Sequence, residues 1–149
     1  MSDKLENAAS PGLFRVFSSM FYDLWLVLAI CMLGVTIDAF IWDLPPDERI
    51  QGSHFLLQAY LLIAPMFFFT WFWTHGGQSL GMRSWRIRVV TLEGNTISWQ
   101  QAIIRYLAAF LSAASLGLGF LWIWIDNENR SWHDRLSNTR LVVTEKPKK

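Results

Sequence analysis

The chain of 149 residues is 52% hydrophobic and only 17% charged, which is more apolar and less charged than an average soluble domain. A formal net charge of +1 argues against a nucleic-acid partner, because phosphate binding normally shows as a concentrated basic excess. With Cys31 as its single cysteine, the chain has no internal disulfide.

Three apolar runs dominate the sequence: Phe21–Trp42, Phe55–Trp73 and Tyr106–Ile125. Each is about 20 residues long, which is what an α-helix needs to cross a hydrocarbon core about 30 Å thick. Helices of soluble domains keep a polar face instead. The runs therefore predict an integral membrane protein whose first partner is the lipid bilayer. Tryptophans at the ends of the runs, such as Trp73, are expected at the level of the headgroups.

The termini are predicted to lie outside the membrane domain. Residues 1–10 form a polar tail without the basic region and small-residue cleavage site of a signal peptide, so the first run should remain as an anchor. Residues 11–144 are predicted to form the membrane domain. Residues 145–149 are a basic tail that is expected to fray.

Basic residues are distributed asymmetrically about the runs. Of the 13 Lys and Arg residues, only Arg49 lies between the first two runs, in the connection Asp43–Ser53. Because Lys and Arg are retained on the cytoplasmic side, we expect the N-terminus inside and this connection outside.

The third run allows two topologies. A single crossing would place the basic tail Asp126–Lys149 outside, against the same rule. Alternatively, residues 97–126 enter the membrane and return, bending at Gly117–Gly119. Two stretches, Trp85–Val90 and Arg140–Thr144, read as short strands that could pair only on the same side, which favours the hairpin. The predicted fold is all-α, with two full transmembrane helices, a re-entrant hairpin or third span, and a small cytoplasmic β pair.

Charged residues in or beside the runs are the functional candidates. Asp23 lies inside the first helix, where an ionised carboxylate costs about 2.5–3.5 kcal/mol on insertion scales and therefore needs a partner or a polar path. Asp126 and Asp134 follow the third run, and either could accept a guanidinium in bidentate fashion. The guanidinium groups considered for this pairing are Arg15, Arg83 and Arg105.

Other chemistry has little support in the sequence. The three histidines have no metal-ligand spacing, and the glycine-containing segment His75–Arg83 has the wrong residue order for a phosphate-binding loop. A triad of Ser137, His133 and an Asp can be written on paper, but the residues are nearly contiguous and no oxyanion hole is defined. We expect no metal, no cofactor and no enzymatic activity.

Three charged positions form a specific pattern: Arg15 at the start of the first helix, Asp23 inside it, and Asp134 further along the chain. The segment Gly77–Arg83, followed by the strand residues Arg88–Val90, adds a central motif. With these motifs the chain resembles the RDD family of small bacterial membrane proteins, over residues from about 11 to 144.

The departures from the family pattern are small. Tyr22 stands where an aliphatic residue is common, and Ser137-Asn138 stands where Ala-Gly is common. Asp126 competes with Asp134 for the place of the second Asp. The resemblance implies a multi-pass protein of the bacterial cytoplasmic (inner) membrane, and a transport role, with some members resembling cation/proton antiporters.

Two functions stay open at this point. In the first, the protein transports a small ion or solute as a homo-oligomer or with a membrane partner protein, with Asp23 and Asp134 as proton or cation sites and Arg15 setting their pKa. In the second, it is an accessory or scaffold protein, and the Arg and Asp residues are structural ion pairs.

Overall fold

The computed structural model describes residues 9–42, 55–115, 117–126, 128 and 130–144. Its elements in chain order are α1 (Leu13–Trp42), α2 (Phe55–Gly76), α3 (Leu80–Ser84), β1 (Ile87–Thr91), α4 (Trp99–Ala114), α5 (Leu118–Leu121), a 3-10 turn (Trp122–Trp124), α6 (Trp132–Leu136) and β2 (Thr139–Val143). The connection Asp43–Ser53 and the tail 145–149 lie outside the described residues.

The two long helices are the predicted transmembrane helices. α1 has 30 residues and α2 has 22, and both are long and apolar enough to cross a membrane. Large apolar side chains cover their outer surfaces, as with Phe40, which is 87% exposed. Such continuous apolar surface suits lipid rather than water. α1 begins at Leu13, ahead of the predicted run, because the chain already turns into the helix at Gly12, whose carbonyl accepts from the Arg15 N–H at 3.0 Å.

The third run is not one straight helix. α4 has 16 residues and is therefore about 24 Å long. The segment Leu118–Trp124 then departs from the α4 axis by 108°. Gly117 lies between them with φ 81°, in the left-handed region that glycine tolerates best, which places the bend inside the predicted Gly117–Gly119 stretch.

The two short strands pair as predicted. β1 and β2 are antiparallel, with Ile87 opposite Val143 and Thr91 opposite Thr139. The Val143 N–H donates to the Ala9 carbonyl at 2.9 Å, so the sheet lies at the end of the bundle where α1 begins. Because β1 precedes α4 and β2 follows α6, the intervening segment leaves this end and returns to it, which is the path of the hairpin alternative.

The core lies at this same end. α3 packs on α1, α6 packs on α4, and α2 lies between α1 and α4. The buried hydrophobic residues of this cluster are Val16, Trp73, Met82, Ile87, Val89, Ile97 and Ala102. Trp73 is only 8% exposed, so its ring packs in the protein interior and does not face lipid headgroups.

Candidate functional site

Asp23 joins α1 to the short helix α3. Its side chain is buried, the Ser79 hydroxyl donates to its Oδ2 through a very short hydrogen bond, and the Gly81 N–H donates to its Oδ1 at 2.8 Å. Ser79 is also the N-cap of α3 and accepts from the Met82 N–H at 3.2 Å. The carboxylate of a membrane helix thus satisfies donors at the start of α3, which would otherwise lack partners.

Gly81 makes this approach possible. A Cβ at this position would overlap the Ser19 carbonyl oxygen and lie 2.8 Å from Asp23 Cγ. Real Cβ atoms do not approach so closely, so a side chain here would push α3 away from α1. The sequence supplies a glycine where the backbone must lie against Asp23.

Arg105 and Asp134 form a buried ion pair between α4 and α6. One terminal nitrogen of Arg105 contacts Asp134 Oδ1, and both side chains are 3% exposed. The pair uses a single nitrogen, so the bidentate expectation is wrong: the same nitrogen also donates to Thr139 Oγ1 at 2.7 Å. Arg105 Cζ lies 5.4 Å from the centre of the Trp73 ring, within the range of a cation–π interaction.

Asp134 is also the third residue of a capping box. Its Oδ2 accepts from the Ser131 hydroxyl at 2.5 Å and from the Ser131 N–H at 3.1 Å, which closes the first turn of α6. Burial raises the pKa of Asp134, but the Arg105 charge, His133 and these hydrogen bonds oppose it and hold the pKa below its ordinary value. Asp134 is therefore ionised at neutral pH.

His133 is buried beside this pair and is neutral at pH 7. Burial lowers its pKa to about 4, Asp134 opposes the shift, and Arg105 adds to it. Its Nε2 lies 2.9 Å from Ser131 Oγ. Since the Ser131 hydrogen is donated to Asp134, Nε2 must be the donor in this contact. Ser137 donates to the His133 main-chain carbonyl at 2.5 Å and not to its ring, so the triad written from the sequence is not assembled.

A cavity of about 290 Å³ lies between α1 and α4, roofed by the small sheet and α6. Its walls are mainly apolar, and the ionisable side chains of Asp23, Arg105, Tyr106 and His133 also contribute to them. The cavity is half open, and Phe110 on its rim is 63% exposed. It therefore connects the buried Asp23 with the apolar outer surface.

The remaining candidates lie elsewhere. Arg15 and Arg83 are exposed, on α1 and in the last turn of α3. Arg105, and not Arg15, is the guanidinium paired with Asp134. Asp126 pairs with Arg135 and accepts from the Arg130 N–H at 2.9 Å, which orders the connection before α6. Among the described residues, no group of three or more His, Cys, Asp or Glu side chains is placed to hold a metal ion.

Sequence reasoning missed several polar members of this site. Ser131 precedes Asp134 by three residues, a capping-box spacing that could have identified it. Ser79 could have been found as an N-cap candidate before an apolar turn. Thr139 and Trp73 carry no such signal, because their positions beside Arg105 depend on β2 and α2 packing against α4.

The comparisons with known proteins agree with this architecture. The RDD family model matches residues 11–138, which is most of the chain. No curated protein and no solved structure matches the chain significantly. The matched region includes both long helices, the Asp23 contact with α3 and the Arg105–Asp134 pair. With this match and two helices able to span a bilayer, the protein is a multi-pass membrane protein that belongs to the RDD family.

Proposed function

We propose that the protein transports a small ion or solute, with the Asp23 carboxylate as the binding group. The observation that carries the proposal is the position of Asp23: it is buried on the cavity wall, and none of the described cationic side chains forms an ion pair with it. A buried ionisable group on a membrane-spanning helix without a cationic partner favours a proton or a cation as its ligand.

The charges around the cavity leave this carboxylate uncompensated. Arg105 contributes to the wall, but its guanidinium is paired with Asp134. Its charge is therefore balanced within the pair, and that of Asp23 is not. Asp134 is less suited to be a second exchangeable site, because the Arg105 guanidinium already balances its charge.

Transport also needs a path across the membrane, and one subunit offers two long helices and a bent hairpin. We propose a homo-oligomer in which α1 and α4 of neighbouring subunits complete the path around the cavity.

We propose that the protein lies in the inner membrane of a bacterial cell. In the proposed orientation the N-terminus, α3, the sheet and α6 face the cytoplasm. The support for it is the placement of Lys and Arg.

Flux into proteoliposomes tests the binding role of Asp23. Asp23→Asn keeps the shape and the acceptor oxygen for Gly81 but removes the negative charge. We expect flux of the exchanged cation to fall at least about tenfold while the amount of folded protein is kept, since a charge-assisted interaction is lost. Asp38→Asn, on the same helix but outside the cavity, is the matched control and should retain flux. Equal flux through the wild type and Asp23→Asn would reject the transport role of Asp23.

Cysteine labelling tests the orientation. In a Cys31→Ser background, two single substitutions place an exposed thiol before and after the hairpin in the chain. They are Glu93→Cys in the turn after β1 and Leu136→Cys at the end of α6. Both should react with an impermeant reagent only after lysis. Reaction of Leu136→Cys alone in intact cells would mean an odd number of crossings.

A second function is favoured by the Arg105–Asp134 pair. Arg105 contacts Asp134 and Thr139, and Asp134 closes the capping box of α6. These contacts hold α4, α6 and β2 together, which suits a scaffold that presents a rigid cytoplasmic face. On this reading Asp23 is a structural anchor for α3. The accessory role predicts that Asp23→Asn alters the stability of the protein. It also predicts that ion flux stays at the level of protein-free vesicles for the wild type and for every variant.

A further inference from the structure

We propose that the cavity between α1 and α4 binds a lipophilic organic monocation, with the Asp23 carboxylate as its counter-charge and aromatic rings as its walls. The inference deepens the proposed function and rests on Asp23 being its binding carboxylate. The aromatic side chains of the cavity wall are Phe69, Trp73, Tyr106, Phe110 and Phe120.

The charge of the cavity is that of one carboxylate. Asp23 contributes one negative charge when it is ionised, and the Arg105 charge is balanced by Asp134. His133, another ionisable residue of the cavity wall, is buried and neutral. A ligand with a single positive charge therefore neutralises the site, whereas an anion would meet an unscreened carboxylate in an apolar enclosure.

The walls favour an organic cation over a bare metal ion. Hard cations such as Ca²⁺ and Mg²⁺ require several oxygen ligands around them, whereas these walls are mostly hydrocarbon and aromatic. Aromatic faces attract quaternary ammonium groups, and aromatic cages are their usual binding sites. The volume of about 290 Å³ lies near the lower end of the range of small-molecule sites, about 300–1,000 Å³, which accommodates a small organic ion.

Asp23 can still accept a ligand although both its oxygens are engaged. It receives one hydrogen bond from Ser79 and one from Gly81, and a carboxylate offers about four lone-pair sites. These two bonds hold the group in place without a cation. The rim formed by Phe110 and Ala113 on α4 is exposed to the apolar exterior, so the ligand can enter from the bilayer. Entry by that route selects lipophilic ions.

Binding of a matched pair of ligands to the detergent-purified full chain tests the inference. The probes are benzyltrimethylammonium and its neutral carbon analogue, neopentylbenzene, which has nearly the same shape. We expect Asp23→Asn to weaken binding of the cation by about tenfold or more and that of the neutral analogue by less than about twofold. Phe110→Leu should weaken the cation by about two- to fivefold through the lost ring face, and Phe40→Leu on the exposed end of α1 should not.

A second pair of variants, one that fills the cavity and one matched control, keeps the test decisive if Asp23→Asn fails to fold. Ala109 lies on the cavity wall, and Ala114 lies exposed on the same helix outside it. Ala109→Leu should weaken both probes, and Ala114→Leu should weaken neither. Equal loss of both probes in Asp23→Asn, or unchanged cation binding in Ala109→Leu, would overturn the inference.

The outcomes separate this inference from the proposed function. Asp23-dependent flux of Na⁺ or K⁺ without binding of benzyltrimethylammonium would overturn the organic-cation inference and retain transport. Asp23-dependent binding of the probe without flux of any cation would retain the site and reject transport. If the protein shows no probe binding and no cation flux, the organic-cation inference and the transport proposal are both rejected.

Discussion

Replacing Arg105 by Met gives the sharpest test of the energetics of this fold. The substitution keeps an unbranched apolar stem of similar reach but removes the guanidinium that contacts Asp134 and Thr139. Both members of the ion pair are 3% exposed, so bulk water solvates neither of them in the folded protein. Breaking a buried pair by removing one partner destabilises a protein by about 3–5 kcal/mol. The carboxylate of Asp134 would remain buried without its counter-charge.

Thermal unfolding of the detergent-solubilised protein, followed by tryptophan fluorescence, measures this loss. For a chain of this size a change of about 1 kcal/mol shifts Tm by about 2–4 °C, so we expect Arg105→Met to lower Tm by about 6–20 °C. Arg83→Met, which removes an exposed guanidinium from α3, is the matched control and should change the free energy of unfolding by less than about 0.5 kcal/mol.

A double-mutant cycle separates the ion pair from simple loss of packing. Asp134→Asn keeps an oxygen that can accept from Ser131 and removes the charge that Arg105 leaves behind. The double variant with Arg105→Met should therefore be less destabilised than the two single changes added together, by at least about 1 kcal/mol. Additivity to within about 0.5 kcal/mol would refute the reasoning, because the two side chains would then contribute independently.

Two further predictions concern residues at the same end of the molecule. Because burial lowers the pKa of His133 from 6.5 to about 4, the unfolded chain binds a proton in this pH range that the folded protein does not. The free energy of unfolding should thus fall by about 3 kcal/mol as the pH drops from 6.5 to 4. His133→Gln should reduce this dependence in melting curves recorded at several pH values. The exposed His75→Gln is the control and should not reduce it. Gly81→Ala should destabilise the protein by about 1–3 kcal/mol because its methyl group overlaps the Ser19 carbonyl. Gly76→Ala should be nearly neutral, because a Cβ there would meet no other element of the described structure within 4 Å. Equal melting temperatures of the two variants would contradict the close α1–α3 contact.

Local patterns were sufficient to predict the two long helices, the bend and the two strands, but not the short helices α3 and α6. Long apolar runs identified α1 and α2, since only a helix of about 20 apolar residues satisfies its backbone groups while crossing lipid. Alternation and β-branched residues located β1 and β2 to within about two residues. Gly117 was recognised as the bend because glycine occupies left-handed conformations at little cost. These features depend on neighbours in the chain, and a sequence displays them directly.

The partners of the charged residues were decided by tertiary structure alone. The sequence by itself determined that Asp23 and Asp134 need partners, because unpaired charges are unfavourable in an apolar interior. It could not determine that Arg105 pairs with Asp134, 29 positions away, or that Ser79 and Gly81 reach Asp23 from more than 50 positions away. Those contacts exist because α3 and α6 fold back beneath α1 and α4, and the distances between such elements are set by packing and not by spacing along the chain.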